Sequence, residues 1–144
     1  MAVTYTNIWY TKILDQLRGL LKTEYPSISV YISKQEGSRG SIYFEVDAVG
    51  QNLVRTSHDG FTNDYFFTID LYFMIGATEK AYKDFFNYVN RTEQLLFNNR
   101  NYTVSSDIKW YDGTVDSINV NSGLSTDEMV RTATINFSCR YGKV

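Results

Sequence analysis

The stretch from Tyr65 to Ile75 constrains the fold most, because it reads as one long strand that is apolar on both faces. Alternation with a period of two places five residues on one face: Phe67, Ile69, Leu71, Phe73 and Ile75. The other face carries Phe66, Tyr72 and Met74, interrupted by Thr68 and Asp70. At about 3.3 Å per residue the strand would reach ~36 Å. One layer of helices covers only one of these faces, so we expect a second copy of the chain to cover the other.

The residues before this strand predict a helix and a hairpin. Apolar positions recur at helical spacing: Trp9, Ile13, Leu17, Leu20 and Leu21. Thr6 or Asn7 can cap this helix, and Tyr25-Pro26 ends it because a residue before proline avoids the helical region. Two alternating segments between Ile28 and Val49, joined by the polar turn Lys34–Gly40, then predict a hairpin.

The rest of the chain completes an α+β pattern. We expect a long polar connection over Gly50–Asp64, followed by the long strand and a second helix over Glu79–Phe97 that Thr78 caps. Strands follow over Thr114–Val120 and Val130–Tyr141, and the segment 102–104 is either a short strand or a connector. The order α-β-β-β-α-β-β predicts a two-layer sandwich, mainly an antiparallel sheet with both helices on one face, in a single domain spanning 1–144.

Few residues offer catalytic chemistry. The chain has one His and one Cys, and Cys139 alternates onto the apolar side of its strand, where a thiolate would be costly. His58, Asp59 and Asp64 could hold a metal but lack a recognised zinc spacing. No phosphate-binding glycine motif occurs. We therefore expect no enzymatic activity and no cofactor.

Charge and hydropathy exclude two classes of partner. The formal net charge is −2 and the Lys and Arg residues are scattered, so we expect no nucleic-acid-binding patch. No apolar run approaches the ~18 residues of a membrane span, so we expect no membrane partner. Three acids, Glu45, Asp47 and Asp70, share one face of the predicted sheet, where they could cluster for acid–base chemistry or simply face water.

The whole pattern resembles the tail terminator (tail completion) proteins of tailed bacteriophages. The matching features are the helix Asn7–Thr23, the hairpin Ile28–Val49, the strand Tyr65–Ile75 and the helix Glu79–Phe97, with a closing strand pair near the C-terminus. The resemblance covers nearly the whole chain. It extends at this level to head–tail connector and neck proteins.

The resemblance implies a structural virion protein, made in the host cytoplasm and located in the tail or neck. Proteins of that family form a hexameric ring that ends polymerisation of the tail tube protein and meets the head–tail connector, while DNA passes through the hole as non-specific cargo. On this basis we expect the uncovered sheet face to contact the neighbouring subunit through Tyr43, Phe66, Tyr72 and Met74. Loop residues would reach the tube or connector: Lys34, Arg39, Arg55, His58 and Phe61. Glu45, Asp47 and Asp70 would line the hole and repel DNA.

Three alternatives remain open. One is another virion component of similar fold, such as a neck stopper or minor capsid protein. A second is an α+β domain that binds a small ligand over the sheet, and the third is an unrelated oligomer of the cytoplasm. A broad flat contact on the tyrosine-rich face would favour the virion protein, whereas a pocket there would favour the ligand-binding domain.

Overall fold

A mixed, curled six-stranded sheet with helices on one face forms the fold. The computed structural model describes residues 2–33, 40–57, 60–74, 76, 78–124 and 129–143. The helices are a π-helical segment, Ile8–Leu14, that continues as α1, Asp15–Glu24, and then α2, Glu79–Asn98. The strands are β1 Ser29–Ile32, β2 Ile42–Ser57, β3 Gly60–Phe73, β4 Tyr102–Val104, β5 Asp107–Leu124 and β6 Met129–Lys143. The α+β class predicted from the sequence is confirmed.

The strands lie in the order β1-β2-β3-β6-β5-β4, and only the β1–β2 pair is parallel. The sheet is thus mainly antiparallel, as predicted, but it curls into a half-barrel and is not the flat layer of a simple sandwich. The β2–β3 pairing contains two register shifts, at Ala48/Gly50 and Leu53/Arg55, and the β5–β6 pairing contains two more, at Tyr111/Thr114 and Val115/Ser117. Bulges bend a strand and increase its twist, which accounts for the curl.

The predicted hairpin over Ile28–Val49 is wrong. β1 and β2 run parallel, with Ser29 beside Tyr43 and Ile32 beside Val46. Alternation of apolar and polar residues identifies strands but carries no information about their direction. The turn Lys34–Gly40 lies almost wholly outside the described residues.

The predicted polar connection over Gly50–Asp64 is also wrong. β2 continues to Ser57 and β3 starts at Gly60, so the segment forms the outer end of a long antiparallel hairpin. Side chains from Gln51 to Thr56 are exposed, and strand residues without a core to face need not be apolar. Polar composition therefore predicted a loop here, although β2 pairs with β3 along this segment except at a bulge.

The helix boundaries follow the predicted caps. Asn7 Oδ1 accepts a hydrogen bond from the Tyr10 amide, and Thr78 Oγ1 accepts one from the Ala81 amide. The first helix ends at Glu24, directly before Tyr25-Pro26. Its first two turns are π-helical, which the amphipathic pattern did not indicate. The segment 102–104 is a strand, which adds one strand to the predicted order.

The helices pack on one side of the sheet, here called the inner face. Trp9 meets Tyr65 and Phe67 edge to face, and Phe73 packs on Phe85 of α2. The buried core joins both helices to the inward residues of the central strands: Phe44, Val46, Ile69, Leu71, Ala133, Ile135 and Phe137. The opposite side, the outer face, carries no helix among the described residues.

Candidate functional site

Three tyrosines form a cluster at one end of the outer face. Tyr43 and Tyr72 are directly opposite each other on β2 and β3, and their rings stack at 4.6 Å between centroids. Tyr31 on β1 meets Tyr43 edge to face at 6.0 Å. All three side chains are half-buried. Aromatic cross-strand pairs stabilise a sheet, and the remaining ring area is available for a partner.

The three predicted acids do lie together on the outer face. Glu45 is directly opposite Asp70, and Asp47 lies two residues further along β2 on the same side. Thr134 Oγ1 donates a hydrogen bond of 2.6 Å to Asp70 Oδ1, and Glu45 is only 4 % exposed. Glu45 is thus buried, and the half-buried Asp47 and Asp70 are the acids of this group that reach solvent on the outer face. Such a surface disfavours the approach of phosphate groups.

The other predicted contact residues are spread more widely. Phe66 is half-buried on the outer face, but six residues along β3 separate it from Tyr72, a distance of ~20 Å. Met74 follows the end of β3 and is partly exposed. The structure therefore brings Tyr43 and Tyr72 together and leaves Phe66 apart from them, near the middle of β3.

The predicted tube or connector contacts fall at the outer end of the β2–β3 hairpin. Arg55 is exposed and lies beside Thr62, next in register to Phe61, which is also exposed. Both residues occupy paired strands, whereas the sequence indicated a loop. Lys34, Arg39 and His58 lie outside the described residues.

Sequence reasoning missed the two edges of the sheet. β1 pairs with β2 only from Tyr43 to Val46, and β4 pairs with β5 only from Asp107 to Trp110. In the described part of the chain, β2 from Asp47 to Ser57 has β3 on one lateral side and no strand on the other. Likewise, β5 from Thr114 to Leu124 has β6 on one lateral side and no strand on the other. We call these segments the β2 edge and the β5 edge. Only the strand order reveals them, so no sequence signal could have located them.

A groove of about 590 Å³ lies beside the β5 edge, between that strand and the end of α2. Val115 lies on the strand side, and Phe97 on the helix side is 58 % exposed. Arg100 packs over the Phe97 ring at 4.6 Å from its centroid. The groove thus combines apolar area with one acidic side chain, Glu93, and one basic side chain, Arg100.

Cys139 and the potential metal ligands are the groups for which the sequence raised nucleophilic or metal chemistry. Cys139 is buried, and burial raises the pKa of its thiol well above the ordinary value, so the thiolate does not form at neutral pH. No group of three or more His, Cys, Asp or Glu side chains in the described ranges could hold a metal ion. Likewise, no helix in that part of the chain has the length and apolar character needed to cross a membrane.

Comparisons with known proteins bear on the fold. No protein-family model matches the chain, and no curated protein matches it. One solved structure, described without any function, aligns with 99 % of this chain and 98 % of its own length at a TM-score of 0.58 and 11 % identity. It therefore shares the fold over the full length.

A second solved structure comes from the virion of a native gene transfer agent particle. It aligns with 93 % of this chain and 91 % of its own length, at a TM-score of 0.45 and 14 % identity. At that TM-score the likeness carries no argument about function.

Proposed function

We propose that this chain is a structural virion protein of a tailed phage or phage-like particle, and that it acts as a tail terminator. Copies form a closed ring on the last ring of the tail tube, stop addition of further tube protein, and present a surface to the head–tail connector. The support is the element order that resembles this family, together with a fold in which the described residues offer an uncovered sheet face and no catalytic arrangement.

The outer face is the observation that carries the proposal. It combines the stacked pair Tyr43 and Tyr72 with the opposed acids Glu45 and Asp70 on neighbouring strands. Half-buried aromatic rings favour contact with protein, because they supply apolar area at little entropic cost. The acids disfavour phosphate, so any part of this face that a protein partner leaves uncovered would let DNA slide past without holding it.

Termination follows from how a ring uses its surfaces. A heterologous contact repeated around an axis closes into a ring when the rotation permits, and each copy then has both of its contact surfaces occupied. One side of the ring covers the exposed end of the tube. The hairpin end with Arg55 and Phe61 is our candidate for contact with the tube or connector, and Glu45, Asp47 and Asp70 are candidates for lining the hole.

Removal of the protein from the assembling particle tests the role. Tails made without it should have unregulated tube lengths and fail to join heads, and supplying the wild-type chain should restore both. Electron microscopy of the tails gives the length distribution, and immunogold labelling locates the chain. Tails of normal length that join heads in its absence would contradict a terminator.

The same labelling separates the terminator from a neck stopper. A terminator labels the head-proximal end of isolated tails, whereas a stopper labels isolated heads. A chain found in neither fraction would contradict a virion role altogether.

A further inference from the structure

We propose that copies of this chain join edge to edge, with the β2 edge of one copy pairing antiparallel with the β5 edge of the next. The inference rests on the proposed ring and identifies the surfaces that close it. It places the main contact on the strand edges, whereas the sequence placed that contact on the outer face.

Backbone groups supply the first argument. Asp47–Ser57 and Thr114–Leu124 are eleven residues each, and in the described chain one side of each segment has no strand partner. Outward N–H and C=O groups on an edge are satisfied by adding a strand. The two edges lie at the two lateral ends of the same sheet, so the β2 edge of one copy can meet the β5 edge of the next. A head-to-tail assembly requires two different contact surfaces placed in this way.

Neither edge has strong protection against pairing. Proteins usually blunt long edges with Lys, Pro or a covering element. The chain has a single proline, Pro26, outside both segments, and neither segment contains lysine. The bulges in β2 and β5 are the main irregularity. They restrict pairing to a strand that follows the same bend, which favours a specific partner over aggregation.

Apolar side chains on the inner face supply the second argument. Leu53 at the β2 edge is 62 % exposed, although its position opposite Asn63 points it to the same face as the core. On β5, Ile118 and Val120 align with buried β6 residues but remain partly exposed, Val120 to 45 %. Joining the edges would continue the apolar layer of one copy into the next and remove these side chains from water.

The groove beside the β5 edge adds further apolar surface at the proposed contact. Phe97 and Val115 line it directly next to the place where the added strand would lie. An added β2 edge would run along this side of the groove, with Thr56 beside Val115 and the exposed Leu53 three residues further along.

Charge supplies the third argument. An antiparallel overlap that runs from Gly50 against Asn121 to Ser57 against Thr114 keeps the opposed residues outside the bulges on the same face of the sheet. In that register Arg55 is opposite Asp116 and Leu53 is opposite Ile118. Arg55 and Asp116 are both exposed in the single chain. An ion pair across the contact would fix the register more than it would add affinity.

The geometry is compatible with ring closure. Through the strand register, Leu53 lies level with Asn63 of β3, and Ile118 lies level with Ile69 of the same strand. Placing Leu53 opposite Ile118 therefore staggers successive copies by about six residues, or ~20 Å. Across four strands, ~19 Å wide, that stagger tilts the strands by about 45°, at the upper limit of the range typical of closed barrels.

Crosslinking of a double variant, L53C/I118C, tests the contact. A short bismaleimide should convert it into a ladder of covalent oligomers that stops at the ring size, because each copy offers one thiol at each edge. The single variants L53C and I118C should remain monomers on a denaturing gel. The native Cys139 is buried, so it should not react.

The outcomes separate this inference from the proposed function. Rings seen by electron microscopy without any ladder from L53C/I118C would overturn the edge contact and leave the ring standing. Dimers from L53C alone would also overturn it, because they would show a β2–β2 contact. A wild-type chain that stays monomeric even with purified tail tubes would overturn both proposals.

Charge reversal gives a second, independent measurement. R55E and D116R should each reduce the fraction of chain in rings, measured by light scattering, and the double variant R55E/D116R should restore it. K83E makes the same charge change on exposed α2, away from both edges, and should leave assembly unchanged. Circular dichroism checks that every variant is folded. Ring formation by R55E or D116R equal to wild type would contradict the assigned register.

Discussion

Substitution of Gly113 by alanine tests how the β5 bulge is packed. Gly113 lies at the first register shift of β5, where its amide donates a hydrogen bond of 2.8 Å to the Arg100 carbonyl oxygen. A Cβ added there would lie 3.0 Å from Phe137 Cζ and 3.1 Å from both Cα and O of Arg100. Two of these atoms are backbone and the third belongs to a buried ring, so none moves easily.

The expected cost follows from overpacking. Forcing a methyl group into a filled site typically destabilises a protein by about 1–3 kcal/mol. For a chain of this size, each kcal/mol shifts the melting temperature by ~3–4 °C, so G113A should melt ~3–12 °C below wild type. Because Gly113 also borders the groove beside the β5 edge, the same variant should form fewer rings.

Gly19 provides the matched control. It lies in α1, is exposed, and has no atom within 4 Å of an added Cβ. Alanine is favoured over glycine inside a helix by about 0.5–1 kcal/mol, so G19A should melt ~2–4 °C above wild type. Thermal unfolding followed by circular dichroism measures both variants. A G113A protein as stable as wild type, beside a stabilised G19A, would refute the packing described for the bulge.

Three further variants or treatments have definite outcomes. Trp110 is buried and donates a hydrogen bond of 2.9 Å to the Asn99 carbonyl, so W110F should lose about 1–3 kcal/mol in denaturant unfolding; an unchanged midpoint would contradict this bond. Cys139 should react with a thiol reagent only in denaturant, and fast labelling of the folded protein would contradict its burial. The hydrogen bond from Lys12 lowers the pKa of Asp107 below its usual 3.8. The carboxylate of Asp107 therefore stabilises the fold above pH 3.8, and this stabilisation is lost as the pH falls through the lower pKa of the folded state. The stability of D107N should fall less steeply with pH in this range, and a stability curve parallel to that of wild type would refute the interaction.

Local patterns predicted the helices and the inner face correctly. The caps at Asn7 and Thr78 lie where the sequence placed them, and Pro26 marks the end of the first helix. The core face of β3 was also predicted, because alternation with a period of two directly reports burial on one side of a strand. These features depend on interactions within a few residues of each other.

Strand direction and strand order could not be predicted in the same way. The parallel β1–β2 pair and the position of β6 between β3 and β5 depend on long-range packing, to which alternation is insensitive. The exposed end of β2 around Gln51 and the start of β3 up to Asp64 are polar in composition, so the sequence predicted a loop there. Alternation shows which residues share a face but not which strands are neighbours, so the sequence identified the residues of the outer face and missed the edges.

The predicted site residues illustrate this division. The outer face carries Glu45, Asp47 and Asp70, as the alternation implied. It also carries Tyr43 and Tyr72, which stack because β2 and β3 are neighbouring strands. Their roles in contact or in lining a hole remain predictions, because a single chain shows no neighbour.

A cryo-electron microscopy map of the chain assembled at the end of a tail tests the central proposal most directly. We expect a closed ring on the tube end, with β2 of each copy paired to β5 of the next and with Glu45, Asp47 and Asp70 facing the hole. Isolated single copies at that position, or a ring found elsewhere in the particle, would contradict it.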